Sequence, residues 1–223
     1  MILRNALDCV QAWKTAGLHD ASISVNVAPV TLLDDHFAPW LRDELAARAL
    51  PARMLKLEMT EHAIIALGSQ MVAAIHDLSA MGVAVLMDDF GAGYSSLGML
   101  ADLPIAGIKC DRLFVRQLAQ DRRRQSLLRH VAALAQEFGL SVVVEGVETE
   151  EELQTLASVG LHSIQGYVFS RPMPAREVPQ WHRTQMPAQR AALQATLHAP
   201  RTAQTSHAVH APALPPVPWA PRA

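Results

Sequence analysis

Several polar residues stand at the ends of short apolar runs, and their types suit metal-assisted chemistry. They are Asn26 in SISVNVA, Glu58 in LKLEMTE, Asp88 and Asp89 in AVLMDDF, Lys109 and Asp111 in GIKCD, Glu145 in VVVEGVE and Gln165 in SIQG. In a parallel α/β barrel the strand ends converge on one rim, where chemistry sits. Carboxylates and an amide gathered there repel one another unless a cation lies among them. Hard oxygen donors of this kind suit Mg²⁺, Mn²⁺ or Ca²⁺.

The elements that must position these residues alternate strictly. Leu3, Leu7, Val10 and Trp13 recur at helical spacing over 3–16, and Gly17 ends that helix. Strands are predicted at 22–28, 55–60, 83–88, 107–111, 141–146 and 163–166. Helices are predicted at 37–49, 69–81, near 96–102, 121–138 and 150–159. This pattern predicts a parallel sheet with crossover helices.

Within each strand, successive side chains face opposite ways. Ile23, Val25 and Val27 oppose Ser24 and Asn26; Leu55, Leu57 and Met59 oppose Lys56, Glu58 and Thr60. Val85 and Met87 oppose Leu86 and Asp88; Ile108 and Cys110 oppose Lys109 and Asp111; Val142 and Val144 oppose Val143 and Glu145. The apolar face is expected on the helices and the other in a barrel lumen. A sheet with one solvated face would also alternate, but would not gather acids, an amide and a lysine at C-terminal strand ends.

Other features have structural readings. Thr149 followed by Glu150, Glu151 and Glu152 is a helix start, where acids favour the dipole and capping. Asp111 beside Arg112 reads equally as a strand-end ion pair or a site residue. Gly91 and Gly93 supply backbone freedom in the loop FGAGYSSLG. From about Met186 the composition shifts to Pro, Ala, His and Arg; 187–223 reads as a disordered tail, and His198, His207 and His210 as solvated.

Bulk properties set limits. The chain has 223 residues, half of them hydrophobic and 18% charged, with a formal net charge of -2. That composition is globular and gives no electrostatic case for a nucleic-acid polymer. Cys9 and Cys110 match no metal or redox spacing, and no signal peptide or membrane-length apolar run stands out; a cytoplasmic setting is expected.

The segments LEMTE, MDDFGAGYSSLGMLADLPIAGIKCDRLFV and VVVEGVETEEELQTLASVGLHSIQGYVFSRPMP resemble the EAL domain of cyclic-di-GMP phosphodiesterases over roughly residues 2–180. The resemblance implies an α/β fold of TIM-type (β/α) barrel class, with the domain over 1–182. It implies hydrolysis of cyclic-di-GMP to a linear dinucleotide using two Mg²⁺ or Mn²⁺ ions. It further implies that Asn26, Glu58 and Asp88 ligate one metal and that Asp88 and Asp89 help hold the second. By the same resemblance Glu145 is the catalytic carboxylate, Lys109 orients the attacking water and Gln165 supports the site. Glu61 would tether the loop containing Gly91 and Gly93, which in the family couples homodimer contact to metal binding.

Family members also begin with two strands, one bearing a Glu-Ala-Leu signature, that this sequence does not contain. The barrel is therefore expected to be incomplete at its N-terminal side, with open edges and one metal ligand fewer. Alternatives are a non-catalytic module that binds cyclic-di-GMP or a partner protein, Mg²⁺-assisted enolisation of a carboxylate substrate, and a fragment without a stable fold.

Overall fold

The computed structural model describes residues 2–91, 100 and 103–187. Six strands lie side by side in chain order: β1 (Ile23–Asn26), β2 (Leu55–Thr60), β3 (Ala84–Phe90), β4 (Gly107–Cys110), β5 (Ser141–Val144) and β6 (Ser163–Ile164). Every neighbouring pair is parallel. The described helices are α1 (Ile2–Thr15), α2 (Pro29–Leu32), α3 (Phe37–Ala47), α4 (Glu61–Ala80), α5 (Arg122–Glu137), α6 (Glu150–Ser158) and α7 (Val178–Thr184). Among the described residues β1 and β6 are not paired with each other, so the sheet is a half-barrel with two free edges.

The alternation read from the sequence sets the two faces. Leu55, Leu57, Met59, Val85, Met87, Ile108, Cys110 and Val144 are buried. They join one core with Leu7 and Val10 of α1, Leu41 and Leu45 of α3, Met71, Ile75 and Leu78 of α4, Leu128 of α5 and Leu156 of α6. α1 ends as expected: Gly17 takes φ +93, and the Leu18 N–H donates to the Trp13 carbonyl at 3.0 Å. α6 begins with a full capping box, in which the Thr149 hydroxyl accepts from the Glu152 N–H and the Glu152 carboxylate accepts from the Thr149 N–H.

Three departures from the sequence reading have physical causes. α4 starts at Glu61 rather than residue 69, and its backbone breaks at Gly68 (φ 51, ψ -130) before the expected helix resumes. β3 runs on to Phe90 because its pairing with β4 shifts: Met87 faces Ile108 but Phe90 faces Cys110. Asp88 and Asp89 occupy this irregularity, and Asp89 has φ 57. α2 and α7 were not anticipated; both are short and carry proline at a first-turn position, where the missing N–H costs nothing. Gly93, most of the expected helix near 96–102, and 188–223 lie outside the described residues.

The chain after β6 crosses back toward α1. The Trp13 indole N–H donates to the Ala175 carbonyl at 2.8 Å. This bond joins the segments that flank the two free edges.

Candidate active site at the rim of the sheet

Lys109 is the hub. It sits on β4, 4% exposed, and its ammonium faces carboxylates brought by three other strands. Its Nζ is 2.7 Å from Glu58 Oε2, 3.3 Å from Asp88 Oδ1 and 2.5 Å from Glu145 Oε1. Parallel register explains the convergence. Lys109 pairs with Val143, and the Glu145 N–H donates to the Cys110 carbonyl just beyond β5. The β3 irregularity places Asp88 within reach from the other side.

These contacts govern protonation. Burial works against the charge of Lys109, but hydrogen bonds to Glu145 and Glu58 and their charges more than offset it, so its pKa is raised. Lys109 therefore stays protonated. Burial pushes the Glu145 carboxyl above the usual carboxylate range; Lys109 pulls it down, while Asp88 and Glu58 push it further up. Asp89 is also raised, by burial and then by the charges of Asp88 and Asp111. Burial with the charge of Glu145 pushes the neighbouring Cys110 thiol up to about 12, leaving it a packing group.

The remaining expected residues fall around this hub. Glu61 is buried; its Oε2 accepts from the Gly91 N–H at 3.2 Å, at the start of the Gly-rich loop, while its Oε1 has no hydrogen-bond partner among the described residues. Gly91 has φ +88, and a Cβ there would lie 2.4 Å from Phe114 Cζ. Asp111 caps the turn after β4 by accepting from the Leu113 N–H, and no ion pair joins it to Arg112. Gln165 is exposed on the rim, its N–H bonded to the Val144 carbonyl. Asn26 pairs in register with Glu58, but it is exposed and lines a neighbouring cleft with Ile2, Val27 and Trp40.

A cleft of about 700 Å³ opens over the hub. Its walls include Glu58, Lys109, Asp111, Glu145 and Gln165. It is also lined by groups that the sequence reading did not place in the site. Ser24 and Lys56 lie deeper on β1 and β2, and Tyr167, Phe169 and Arg171 follow β6. The Arg171 guanidinium lies 4.9 Å from the Tyr167 ring centroid. Alternation already put Ser24 and Lys56 on the lumen face; nothing periodic marks the post-β6 residues.

The donor set can be tested against a divalent cation. Glu58, Asp88 and Glu145 supply the hard oxygens that Mg²⁺ or Mn²⁺ prefers, so the chemistry fits. Their oxygens are arranged about the Lys109 nitrogen, and among the described residues no group of three or more His, Cys, Asp or Glu is set to hold a metal on its own.

A six-stranded parallel α/β sheet with an acidic cluster and a protonated lysine at its C-terminal rim has the architecture of a barrel-type domain. Comparison narrows the class: the EAL domain model matches residues 1–172, and the chain belongs to the EAL domain family. The cyclic di-GMP phosphodiesterase RocR of Pseudomonas aeruginosa is 39% identical over 153 residues, 69% of this chain and 39% of RocR. The Pseudomonas aeruginosa phosphodiesterase MucR, solved in complex with c-di-GMP, superposes with TM-score 0.73 at 34% identity, covering 79% of this chain and 72% of that one. Klebsiella pneumoniae BlrP1, solved with manganese and cyclic-di-GMP, gives TM-score 0.69 at 33% identity, over 75% of this chain and 43% of that one. The chain spans only 23% to 28% of the length of several full-length relatives.

Proposed function

We propose that this chain forms the site of a cyclic-di-GMP phosphodiesterase, which opens the cyclic dinucleotide to linear pGpG with the help of Mg²⁺ or Mn²⁺. The observation that carries the reading is the convergence of Glu58, Asp88 and Glu145 on the protonated Lys109 at the strand-end rim. The phosphodiesterase names of RocR and MucR support it. Glu58, Asp88, Asp89 and Asn26 would hold the ions, which when bound polarise phosphoryl oxygens and acidify water.

The chain's own groups have clear tasks. Lys109 donates to the attacking water or to a phosphate oxygen, because it keeps its proton among the acids. Glu145, partly desolvated, accepts the water's proton as the new P–O bond forms and the bond from phosphorus to the ribose oxygen breaks, that oxygen leaving as a hydroxyl with a proton from solvent; its raised pKa makes Glu145 a better base than a solvated carboxylate. Glu61 fixes the first glycine of the adjoining loop through the Gly91 N–H. The same reading carries a cytoplasmic setting and a homodimer near that loop; no described helix is long and apolar enough to cross a membrane.

One observation favours a second reading, binding without turnover: the centre of the carboxylate group holds the Lys109 ammonium. Calorimetry with cyclic-di-GMP, with and without Mn²⁺, separates the two. Metal-dependent binding followed by the heat of hydrolysis supports the enzyme. Binding indifferent to metal and without later heat supports the module.

A further inference from the structure

Charge is unevenly spread in the cleft over Lys109. At one pole a single ammonium is ringed by three carboxylates, so that pole is net negative by itself and accepts a phosphate only with the cations that the proposed function places there. A ligand with two phosphodiesters needs a cation elsewhere. Lys56 and Ser24 supply an alternative on the same lumen wall. Their Cα atoms are register partners on adjacent parallel strands, so both side chains leave the sheet on one face. Both line the cleft with Glu58 and Lys109. Lys56 is half-buried, and among the described residues neither its ammonium nor the Ser24 hydroxyl has an ion-pair or hydrogen-bond partner. An ammonium beside a hydroxyl, both facing one cavity, is the chemistry of an oxyanion subsite. Small neighbours leave it room, since Ala84 flanks Lys56 on the other side. The other cations of the cleft are less suited: Arg171 lies over Tyr167, and Arg112 is exposed.

We propose that Lys56 and Ser24 form a second phosphate-binding subsite in the cleft, which holds the phosphodiester of the dinucleotide that is not being cleaved. This rests on the proposed function and adds the residue that recognises the second charge. Two phosphates, one at each pole, would also fix which bond lies against Glu145.

The test is calorimetric titration of the full chain with cyclic-di-GMP and with GMP, using Lys56→Met, Lys56→Arg and Ser24→Ala. Methionine keeps the stem and removes the charge, so circular dichroism should show an unchanged fold. Loss of one charge-assisted contact should weaken cyclic-di-GMP binding about 10- to 100-fold in Lys56→Met. Lys56→Arg should recover most of that loss, Ser24→Ala should cost a few-fold, and GMP, with one phosphate, should be affected far less. Equal affinity of parent and folded Lys56→Met for cyclic-di-GMP would overturn the subsite and leave the proposed function standing. No binding by the parent would overturn both.

Discussion

The Lys109 ammonium lies 2.5 Å from Glu145 Oε1, and Glu145 sits one residue beyond the strand that pairs with Lys109's own. Glu58 and Asp88 reach the same nitrogen from β2 and β3. One cation thus ties together four strand ends, and the stability of the rim depends on it.

Replacing Lys109 with methionine leaves Glu58, Asp88 and Glu145 facing each other without a counter-charge. Removing one partner of a buried ion group costs about 3–5 kcal/mol, so the melting temperature of Lys109→Met should fall by many degrees at pH 7. The pH dependence has a definite sign. The Lys109 pKa is raised in the folded protein, so its contribution is complete below the unfolded value of about 10.4 and is lost as pH rises through the higher folded value. The melting gap between parent and variant should hold from pH 7 to about pH 10 and close above that. A variant as stable as the parent at pH 7 contradicts the hub.

Gly91→Ala should destabilise the rim by two routes. Its φ of +88 disfavours a side chain, and the added Cβ would stand 2.4 Å from Phe114 Cζ. A loss of about 1–3 kcal/mol is expected in denaturant melts. The double variant Gly91→Ala, Phe114→Ala should show a smaller combined cost than the sum of the singles, because the clash is gone. Strict additivity would place the ring elsewhere.

Trp13→Phe tests the link across the open side. It deletes the donor to the Ala175 carbonyl, worth about 0.5–1.5 kcal/mol, while keeping most of the ring packing. Limited proteolysis should cut faster between Ala175 and Thr184 in the variant. Unchanged cleavage there would mean that the bond does not hold the segment.

Much of the fold was legible because strand period and burial agree. The strand 55–60 appears with the bounds the sequence predicted, since Leu55, Leu57 and Met59 alternate with polar partners. Lys109 and Glu145 were legible because each polar group ends an apolar run. The β3 irregularity was not, because no residue pattern signals a shift of pairing between Met87 and Phe90. The helix expected from residue 69 begins at Glu61 instead, and its backbone breaks at Gly68 with α4 on both sides. Asn26 follows the same alternation: it pairs in register with Glu58 at the edge strand and also lines the neighbouring cleft. The Tyr167–Arg171 stack depends on a loop after β6 that carries no period to read.

The proposed phosphodiesterase site centres on Glu145 and Lys109. The most direct measurement is chromatographic quantification of linear dinucleotide after incubating the chain with cyclic-di-GMP and Mn²⁺, beside Glu145→Ala. Product is expected from the parent, none with chelator, and at least a hundredfold less from Glu145→Ala. No product from a folded parent that binds cyclic-di-GMP would contradict it and leave a binding module.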